Sequence, residues 1–401
     1  MTESWFELNR KSAPGFDRVT PNEYSVNLRK NIENLITTLK EKRYRAKLVR
    51  RKDIPKGNGK TRPLGIPTTE DKLLQKAVAR ILNAIHEQDF QKSSFGYRPK
   101  LSPGNAVQNV TINLQRRKFF YVVDADIKGF FNNIDHEWLI KMLEQRIDDK
   151  AFIRLIRKWL KAGILTSDRQ VLYPNAGTPQ GGIVSPILAN IYLHYALDLW
   201  FEKVVIPRCD GEAYLCRYAD DFVVAFRYGR DADKFYKVLR ERLKKFGLEI
   251  AEDKTQIIQF TRFKKESGAS FEFLGFEFRW GVDRNGKDLI KRKTSRTKMR
   301  SSLKSFKEWC KESRNYRLRK IFKLLNAKLR GYYNYYGIIG NYDSLHEFFT
   351  LAMRILYKWL NRRSQRKSFN FTGFSEILKH YQIEKPRVTQ KITNQLEIKW
   401  S

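Results

Sequence analysis

The chain has 401 residues, of which 79 are Lys or Arg and 43 are Asp or Glu, so its formal net charge is +36. A chain of this length with 41% hydrophobic residues can build the cores of roughly two or three domains. A surface this basic indicates a polyanionic partner, most simply a nucleic acid, and a basic ribosomal-type protein would be shorter and poorer in aromatic residues.

The three cysteines, with no Cys-x-x-Cys spacing, argue against a disulfide framework and against a zinc ribbon. No long uncharged apolar segment occurs, and the first residues, Met1 to Arg10, lack the apolar core of a signal peptide. We therefore expect a soluble, intracellular protein with no membrane partner.

Hydrophobic patterns predict several helices and one strand in the first half of the chain. A helix is expected near residues 26–40, and an amphipathic helix begins after Pro67-Thr68-Thr69-Glu70. An apolar strand is predicted over 119–126, and helices follow over 136–147 and 152–160. Ser185-Pro186 is typical of a helix start, with Ser185 as N-cap and Pro186 at the first helical position.

The second half of the chain contains a predicted β-hairpin with two adjacent acids. Tyr218-Ala219-Asp220-Asp221 stands between apolar runs at 214–216 and 222–226, which is typical of two strands joined by a tight turn. A helix is then expected over 231–246, and residues 271–278 alternate like a strand or hairpin. Strands with helices between them, but without a regular βαβ repeat, favour an α+β fold over a doubly wound sheet.

Another acid lies at the edge of the predicted strand 119–126. Two-metal phosphoryl transfer needs carboxylates from separate strands to converge on ions about 4 Å apart. Asp126 and the pair Asp220 and Asp221 have this arrangement, and oxygen ligands suit Mg²⁺, for which Mn²⁺ can substitute. The sequence therefore predicts a site for two Mg²⁺ ions held by Asp126, Asp220 and Asp221. Asp124 could share the strand face of Asp126, but a structural role is the preferred interpretation.

The composition shifts towards positive charge in the last part of the chain. Residues 286–401 contain 28 Lys and Arg against eight Asp and Glu, an excess of 20 positive charges in 116 residues. Helices are expected over 318–336 and 345–360. Basic side chains bind phosphates and aromatic faces can stack on bases, although such aromatics can equally form a helix core. The interleaved aromatics are Tyr332, Tyr333, Tyr335, Tyr336, Tyr357 and Trp359.

Eight short sequence blocks follow one another along the chain. They are Ala13-Pro14-Gly15-Phe16-Asp17, Arg62 to Pro67, Ser94 to Pro99, Asp126 with Phe130-Phe131, Gly177 to Pro186, Tyr218 to Asp221, Gly247-Leu248 with Glu252 to Thr255, and Phe273 to Phe276. Taken in this order, the blocks resemble the bacterial group II intron reverse transcriptase/maturase family. This resemblance implies an α+β right-hand polymerase, with fingers and palm over residues 1–285 and a basic α-helical thumb, domain X, over 286–401.

The resemblance also assigns roles around the metal site. It implies that Asp126 and Asp220 bind both ions, with Asp221 nearer the primer end. Lys254 resembles the lysine that protonates the leaving pyrophosphate.

Four further residues are implied in nucleotide binding. Phe131 would pack under the incoming sugar and exclude a 2′-OH, with a simple core role as the alternative. Gln180 lies in a glycine-rich turn that lets the backbone approach the nucleotide. Lys56 and Arg62, on either side of a fingertip turn, would hold the triphosphate, unless they are only a solvated basic loop.

The implied activity is RNA-directed DNA synthesis with dNTPs on an RNA template, from a DNA or RNA primer. Binding of structured intron RNA would assist splicing and retrohoming, in the cytoplasm of a bacterium and at the nucleoid when the substrate is DNA. Two alternatives are a domesticated enzyme of DNA repair, phage defence or CRISPR spacer acquisition, and a splicing factor with a vestigial site. Intact aspartates argue against the latter.

Two departures from the family pattern also give expectations. No HNH-type segment follows the thumb region, so target cleavage by this chain is not expected. The stretch before Ala13 is short for the family, and this leans towards domestication. The oligomeric state is left open.

Overall fold

The computed structural model describes residues 1–55, 61–166, 168, 170–173, 175–178, 181–363 and 368–390, and within them no side chain of 265–267. Contacts divide the chain into two compact units. The first contains residues 1–102 and 118–257, and the second contains 103–117 and the chain from 258 onwards. The expected division at residues 285 and 286 into fingers with palm and thumb stays a prediction.

The first unit alternates helices with short strands. Its helices are α1 Thr2–Phe6, α2 Pro21–Val26, α3 Leu28–Lys40, α4 Thr69–His86, α6 His136–Glu144, α7 Lys150–Leu160, α8 Ser185–Leu193 and α9 Gly229–Lys245, whereas α5 Pro103–Arg116 belongs to the second unit. Its strands are β1 Val49–Pro55, β2 Thr61–Ile66, β3 Tyr121–Asp126, β4 Ile164–Leu165, β5 Val171–Leu172, β6 Ala213–Tyr218 and β7 Asp221–Phe226, and β8 Gln256–Gln259 crosses into the second unit.

The central sheet has the strand order β6-β7-β3-β8. β7 pairs antiparallel with both β6 and β3, so the hairpin predicted around Asp220 lies beside the strand predicted over 119–126. Val123, Val224 and Phe226 from these strands are buried in a core shared with α6, α8 and α9. Apolar residues on neighbouring strands and the facing helices therefore fix this sheet's register.

A second sheet in this unit has the order β2-β1-β4-β5. β1 and β2 form an antiparallel hairpin in which Arg62 faces Ile54. Residues 56–60, which join the two strands, lie outside the described residues, and so does the predicted site residue Lys56. The hairpin is attached to the rest of the sheet where Val49 pairs in parallel with Ile164.

The starts of α4 and α6 agree with the sequence patterns, whereas the start of α8 does not. Thr68 and Asp135 cap α4 and α6 by accepting hydrogen bonds from main-chain amides in the first turn. The predicted N-cap Ser185 is wrong by one position, because Val184 is the N-cap and makes no side-chain cap. Val184 already has helical dihedrals, φ −82° and ψ −20°, so the helical path begins one residue early and Pro186 lies in its first turn.

The second unit combines a small sheet with a group of helices. Its strands β9 Ser270–Phe273, β10 Phe276–Val282 and β11 Asp288–Thr294 lie in the order β11-β10-β9. Its helices, besides α5, are α10 Arg296–Ser313, α11 Leu318–Tyr336, α12 Tyr342–Leu360 and α13 Phe371–His380. The predicted alternation over 271–278 is a hairpin whose loop residues Leu274 and Gly275 both have positive φ.

The helix-and-sheet composition confirms the α+β class. The predicted helices over 26–40, 136–147, 152–160 and 231–246 are present, each with ends shifted by a few residues or less. Among the described helices, none is both long and apolar enough to cross a membrane.

Candidate active site

A two-residue loop joins β6 to β7. Tyr218 pairs with Asp221 across the hairpin, so the loop consists of Ala219 and Asp220. Ala219 has φ 58°, a positive value typical of the first loop residue of tight hairpins. Asp220 is therefore in the loop, whereas the exposed Asp221 begins β7. The two acids are inequivalent, because one belongs to a loop and the other to a strand.

Asp126 is brought to this loop by the register of the central sheet. It is the last residue of β3, and its strand partner on β7 is Asp221. A one-residue slip would turn the side chain of Asp126 to the opposite face, and the buried Val123 and Ala125 oppose such a slip. Asp124 is half-buried and pairs with Val223 further from the loop.

An open cleft of about 540 Å³ brings five of the predicted site residues together. Asp126, Asp220 and Lys254 line it together with Arg62 and Phe131. Asp221 and Asp124 are not among its lining residues. The complete lining is Thr61, Arg62, Pro63, Tyr97, Asp126, Ile127, Lys128, Gly129, Phe130, Phe131, Asn132, Asp220, Ala251, Asp253 and Lys254.

The two carboxylates in the cleft repel each other. Burial raises the pKa of Asp220, and the negative charge of Asp126 raises it further, while Arg62 opposes the shift. Nζ of Lys254 lies 2.6 Å from Oδ2 of Asp126, and this hydrogen bond raises the pKa of Lys254. The cleft thus has an acidic centre with Lys254 as a counter-charge.

Phe131 forms part of the cleft wall. It lies in a short 3₁₀ turn, Phe130–Asn132, which Gly129 enters with φ 58°. Its ring meets those of Phe130 and Tyr97 edge-on, at centroid distances of 5.4 and 6.4 Å. Only 7% of Phe131 is exposed, so it serves both as a core residue and as a surface of the cleft.

Tyr97 is a cleft residue that the sequence pattern did not assign. It has φ 57°, and its ring lies beside Phe131. Burial raises its pKa, and the charge of Asp220 adds to this shift. Its block, Ser94 to Pro99, was part of the resemblance, but the unusual backbone conformation that turns Tyr97 to the cleft has no clear sequence signal for a non-glycine residue.

Hydrogen bonds hold the main chain on both sides of the glycine-rich segment around Gln180, at Gly177 and at Ile183. Gly177 donates to the carbonyl of Ile134 over 2.8 Å, and Ile183 donates to Oε1 of Gln75 over 2.9 Å. A Cβ on Gly177, which has φ 88°, would lie 2.7 Å from a main-chain oxygen of Asn132. Gln180 itself lies outside the described residues.

The carboxylates of Asp126 and Asp220 fit a divalent cation in the cleft. Both offer oxygen ligands, as Mg²⁺ prefers. The pKa of Asp220 is raised first by burial and then by the charge of Asp126, and a bound cation would relieve this repulsion. Across the described ranges, no group of three or more His, Cys, Asp or Glu side chains is gathered closely enough to hold a metal ion. A further carboxylate, Asp253, lines the cleft, whereas the predicted third ligand Asp221 is paired with Asp126 on the sheet.

The second unit has a row of basic side chains along one helix. Arg300, Lys304, Lys307 and Lys311 are all exposed and recur at helical spacing along α10, and we call them the α10 basic stripe. A separate face of α10 is buried through residues that include Met299 and Phe306. The stripe is therefore a solvent-facing row of positive charge.

Most of the interleaved aromatics belong to the core of this unit. Tyr333 is fully buried, and Tyr332 stacks on Phe348 with ring centroids 3.7 Å apart. Tyr335 is 41% exposed, but its ring stacks on Phe276. The core interpretation is confirmed for Tyr332 and Tyr333, and base stacking is not needed to explain them.

Two family models match the chain in succession. The model described as reverse transcriptase (RNA-dependent DNA polymerase) matches residues 54–278, which include the cleft. The model described as group II intron, maturase-specific domain matches residues 297–378, which include the α10 basic stripe.

Similar proteins come from bacteria and from yeast. The chain is 31% identical over 404 residues to the group II intron-encoded protein LtrA of Lactococcus lactis subsp. cremoris, covering 79% of this chain and 65% of LtrA. It is 33% identical over 249 residues to protein YkfC of Escherichia coli, covering 54% of this chain and 65% of YkfC. It is 25% identical to the putative COX1/OXI3 intron 1 protein of Saccharomyces cerevisiae, covering 82% of this chain and 49% of that protein. The chain thus spans just under two thirds of the bacterial relatives.

Among solved structures, a telomerase from Candida albicans, in complex with a TWJ fragment of telomeric RNA, is similar with a TM-score of 0.47 and 15% identity, covering 89% of this chain and 71% of that one.

Proposed function

The chain belongs to the reverse transcriptase family, in its group II intron branch, and from this membership we propose that it is an RNA-directed DNA polymerase that also binds structured intron RNA. The observation that carries the proposal is the convergence of Asp126, Asp220 and Lys254 on one cleft. The substrates are dNTPs, an RNA template and a DNA or RNA primer. In a bacterial cell this activity belongs to the cytoplasm, and to the nucleoid during DNA synthesis.

The reaction is nucleotidyl transfer. The 3′-oxygen of the primer forms a bond to the α-phosphorus of the dNTP and its proton is lost to water. The bond from the α-phosphorus to the bridging oxygen breaks, and pyrophosphate leaves. Asp126 and Asp220 would hold two Mg²⁺ ions, with Asp221 close by. When bound, these ions lower the pKa of the primer hydroxyl and neutralise charge on the phosphates.

Lys254 and Arg62 act on the leaving group. Lys254 is charged at neutral pH, as an ordinary lysine is, and its hydrogen bond to Asp126 raises its pKa further. Its ammonium group can therefore contact the departing pyrophosphate and donate a proton to it as the bond breaks. Arg62, exposed at the rim of the cleft, offers a planar fork for a phosphate. Lys56 and Gln180, by the resemblance, contact the triphosphate and the nucleotide.

Phe131 and Tyr97 select the sugar. Their rings meet edge-to-face in the wall of the cleft. A rigid aromatic surface under the sugar leaves no room for a 2′-OH, so deoxynucleotides are favoured over ribonucleotides. The contact between the two rings supports this role, because Tyr97 keeps the Phe131 ring from moving aside to admit a 2′-OH.

Binding of intron RNA belongs to the second unit. The maturase-specific match over 297–378 and the exposed α10 basic stripe support it. Basic side chains bind A-form RNA through phosphates, and any preference for one intron then comes from the shape of that RNA.

Primer extension tests the proposal. The Asp220→Ala, Asp221→Ala double variant is expected to lose extension while its affinity for primer–template stays near that of the unaltered protein. A double variant that still extends the primer contradicts the assignment. A splicing assay separates the two biological roles: the same inactive variant is expected to accelerate splicing of a group II intron RNA, whereas a domesticated polymerase does not affect splicing.

A further inference from the structure

A fully buried arginine lies beside the loop formed by Ala219 and Asp220. Arg217, on β6, has no exposed surface. A guanidinium has five N–H donors, and all five are used here. Nε donates to Oδ1 of Asp198 over 2.7 Å. Nη2 donates to Oδ2 of Asp198 over 2.5 Å and to Oγ of Ser94 over 2.8 Å. Nη1 donates to Oδ1 of Asn190 over 3.1 Å and to the carbonyl of Ala219 over 2.9 Å.

One of these bonds ends on the loop that carries Asp220. The carbonyl of Ala219 and the amide of Asp220 belong to one planar peptide group, so fixing the oxygen fixes the plane from which Asp220 projects. Ala219 has φ 58°, a conformation that residues with a Cβ rarely adopt. The surrounding contacts have to hold it there.

Residues 93–96, which run beside β6, also hold the loop that carries Asp220 in place. Arg217 donates its amide to the carbonyl of Ser93, and Phe95 donates to the carbonyl of Arg217, both over 2.8 Å. The chain then passes so close to the loop that a Cβ on Gly96 would lie 2.2 Å from the amide nitrogen of Ala219. Nδ2 of Asn190 donates to the carbonyl of Gly96 over 2.5 Å.

We propose that Arg217, held by Asp198, is a positioning residue that fixes the Ala219–Asp220 peptide so that the carboxylate of Asp220 faces Asp126. The inference rests on the proposed function and deepens it. Arg217 does not line the cleft, so it acts through the loop. The competing explanation is that the buried ion pair contributes only to folding stability.

Arg217→Lys separates these explanations. Lysine keeps the charge opposite Asp198, but its single ammonium group cannot reach Asp198, Asn190 and Ala219 together. The matched control is Arg242→Lys, because Arg242 donates to the carbonyls of Tyr195 and Ala196 in the same unit.

Asp198→Asn has its own matched control. Asp231→Asn alters another buried carboxylate, which accepts from the amides of Asp210 and Gly211 next to the far end of the same hairpin. Asp198→Asn is expected to loosen the Asp220 loop, and Asp231→Asn is expected to leave it unchanged.

The first measurement is amide hydrogen exchange of residues 218–221 in the protein without metal or nucleic acid, beside a thermal melt. For Arg217→Lys we expect exchange in this loop to rise at least about tenfold while other core amides keep their protection. With primer–template and Mg²⁺, kcat is expected to fall about 100-fold, as for a misplaced reacting group, with unchanged primer–template affinity. Arg242→Lys should show neither effect.

A uniform rise in exchange over the whole unit, or a loss of kcat no larger than that of Arg242→Lys, overturns the proposal. If Arg217→Lys does not fold, Ser94→Ala removes one acceptor of Nη2 and leaves the ion pair intact. It is expected to raise exchange in the loop alone, and unchanged exchange there overturns the proposal. The exchange measurement needs no turnover, so it stays decisive even if the unaltered protein makes no DNA.

Discussion

Lys254 donates a hydrogen bond from Nζ to Oδ2 of Asp126 over 2.6 Å, although the two residues are 128 positions apart. The main chain supports this contact, because the amide of Ala251 donates to the carbonyl of Asp126 over 2.8 Å. The Lys254 side chain is 62% exposed, so water screens the ion pair and limits its contribution to folding stability. The effect of Lys254 is therefore expected in catalysis.

Lys254→Met tests this expectation. Loss of a general acid typically lowers the rate by about 10²- to 10⁴-fold, and we expect kcat for primer extension to fall within that range. The melting temperature should stay nearly unchanged, because the pair is screened. Steady-state extension and a thermal melt check both expectations, and Lys128→Met, at another exposed lysine that lines the cleft, is the control. A variant with normal kcat would rule out the proposed acid role.

Asp220→Asn is expected to remove activity and to stabilise the fold. Burial and the charge of Asp126 raise the pKa of Asp220, so the folded state binds a proton more readily than the unfolded state does. Stability therefore decreases as pH rises from the unfolded pKa through the folded pKa, and the loss is complete above the folded pKa. Removing the charge should raise the melting temperature at pH 7 by about 1–4 °C. Asp221→Asn, at an exposed residue, should leave the melting temperature unchanged. A lower melting temperature for Asp220→Asn would contradict the repulsion described in the cleft.

Phe131→Val is expected to weaken sugar selection. The smaller side chain opens space in the cleft wall, and pocket changes of this size alter discrimination by about 10- to 200-fold. The ratio of kcat/KM for a ribonucleotide to that for the matching deoxynucleotide should rise accordingly. Phe235→Val is the control, since Phe235 is buried in the same core and does not line the cleft. Equal ratios in the two variants would mean that Phe131 is only a core residue.

Reversing charge on the α10 basic stripe is expected to reduce the salt dependence of RNA binding. Each phosphate contact on a duplex contributes about 0.9 to the slope of log K against log[salt], so Lys304→Glu with Lys307→Glu should flatten it by about 1–2. Lys237→Glu with Lys244→Glu, at exposed positions of α9, gives the same change in net charge and serves as the control. Equal slopes in both variants would argue against the stripe as a binding surface.

Lys291, Arg292 and Lys293 on β11 form another basic run in the second unit, but they are less suitable than the α10 basic stripe for charge reversal. Arg292 is half-buried and donates from Nη2 to the carbonyl of Ile339, and Lys293 pairs with Glu277 at 3.2 Å. Reversing these charges would disturb packing as well as RNA contacts. Truncation after Asn285 is likewise unsuitable as a test of RNA binding, because it would delete β11, the strand that pairs with β10.

His86→Leu is expected to change the acid sensitivity of the fold. Burial lowers the pKa of His86 to about 4, so between the ordinary value of 6.5 and about 4 the unfolded state binds a proton that the folded state does not. Stability is therefore lost as pH falls through this window, by at most about 1.4 kcal/mol per pH unit from this residue. Denaturant unfolding from pH 7 to pH 4 should show a shallower loss in His86→Leu. His346→Leu, at an exposed residue of α12, should keep the original slope.

Local patterns were sufficient to predict the secondary structure around the cleft. The apolar runs beside Asp126 and Asp220 predicted the strands, because buried strands of a central sheet need such runs on both faces. The order of the strands and the pairing of Asp126 with Asp221 were not predicted, since periodicity does not say which strands become neighbours.

Other site features depend on tertiary contacts. The position of Tyr97 beside Phe131 requires a positive φ at a non-glycine residue, which local sequence does not indicate. The burial of Tyr332 and Tyr333 could not be separated from an exposed stacking role, because both roles place aromatics at the same helical spacing. Arg217 in a basic chain looks like one more phosphate-binding residue until its five acceptors are seen.

Helix α5 is synthesised long before the part of the second unit that it contacts. It precedes the central sheet in the sequence, yet its contacts are in the second unit: the amide of Ile290 donates to Oε1 of Gln115, 175 residues earlier. At roughly 5–20 residues per second, a ribosome needs about 10 to 35 s to add those residues. During this interval α5 leaves the ribosome with its buried face, which includes Val107, Val110 and Leu114, still without a partner. Nascent chains stalled after α5 has left the ribosome, but before β11 has been synthesised, should therefore be bound at this helix by chaperones that recognise apolar segments, and released once β11 has emerged.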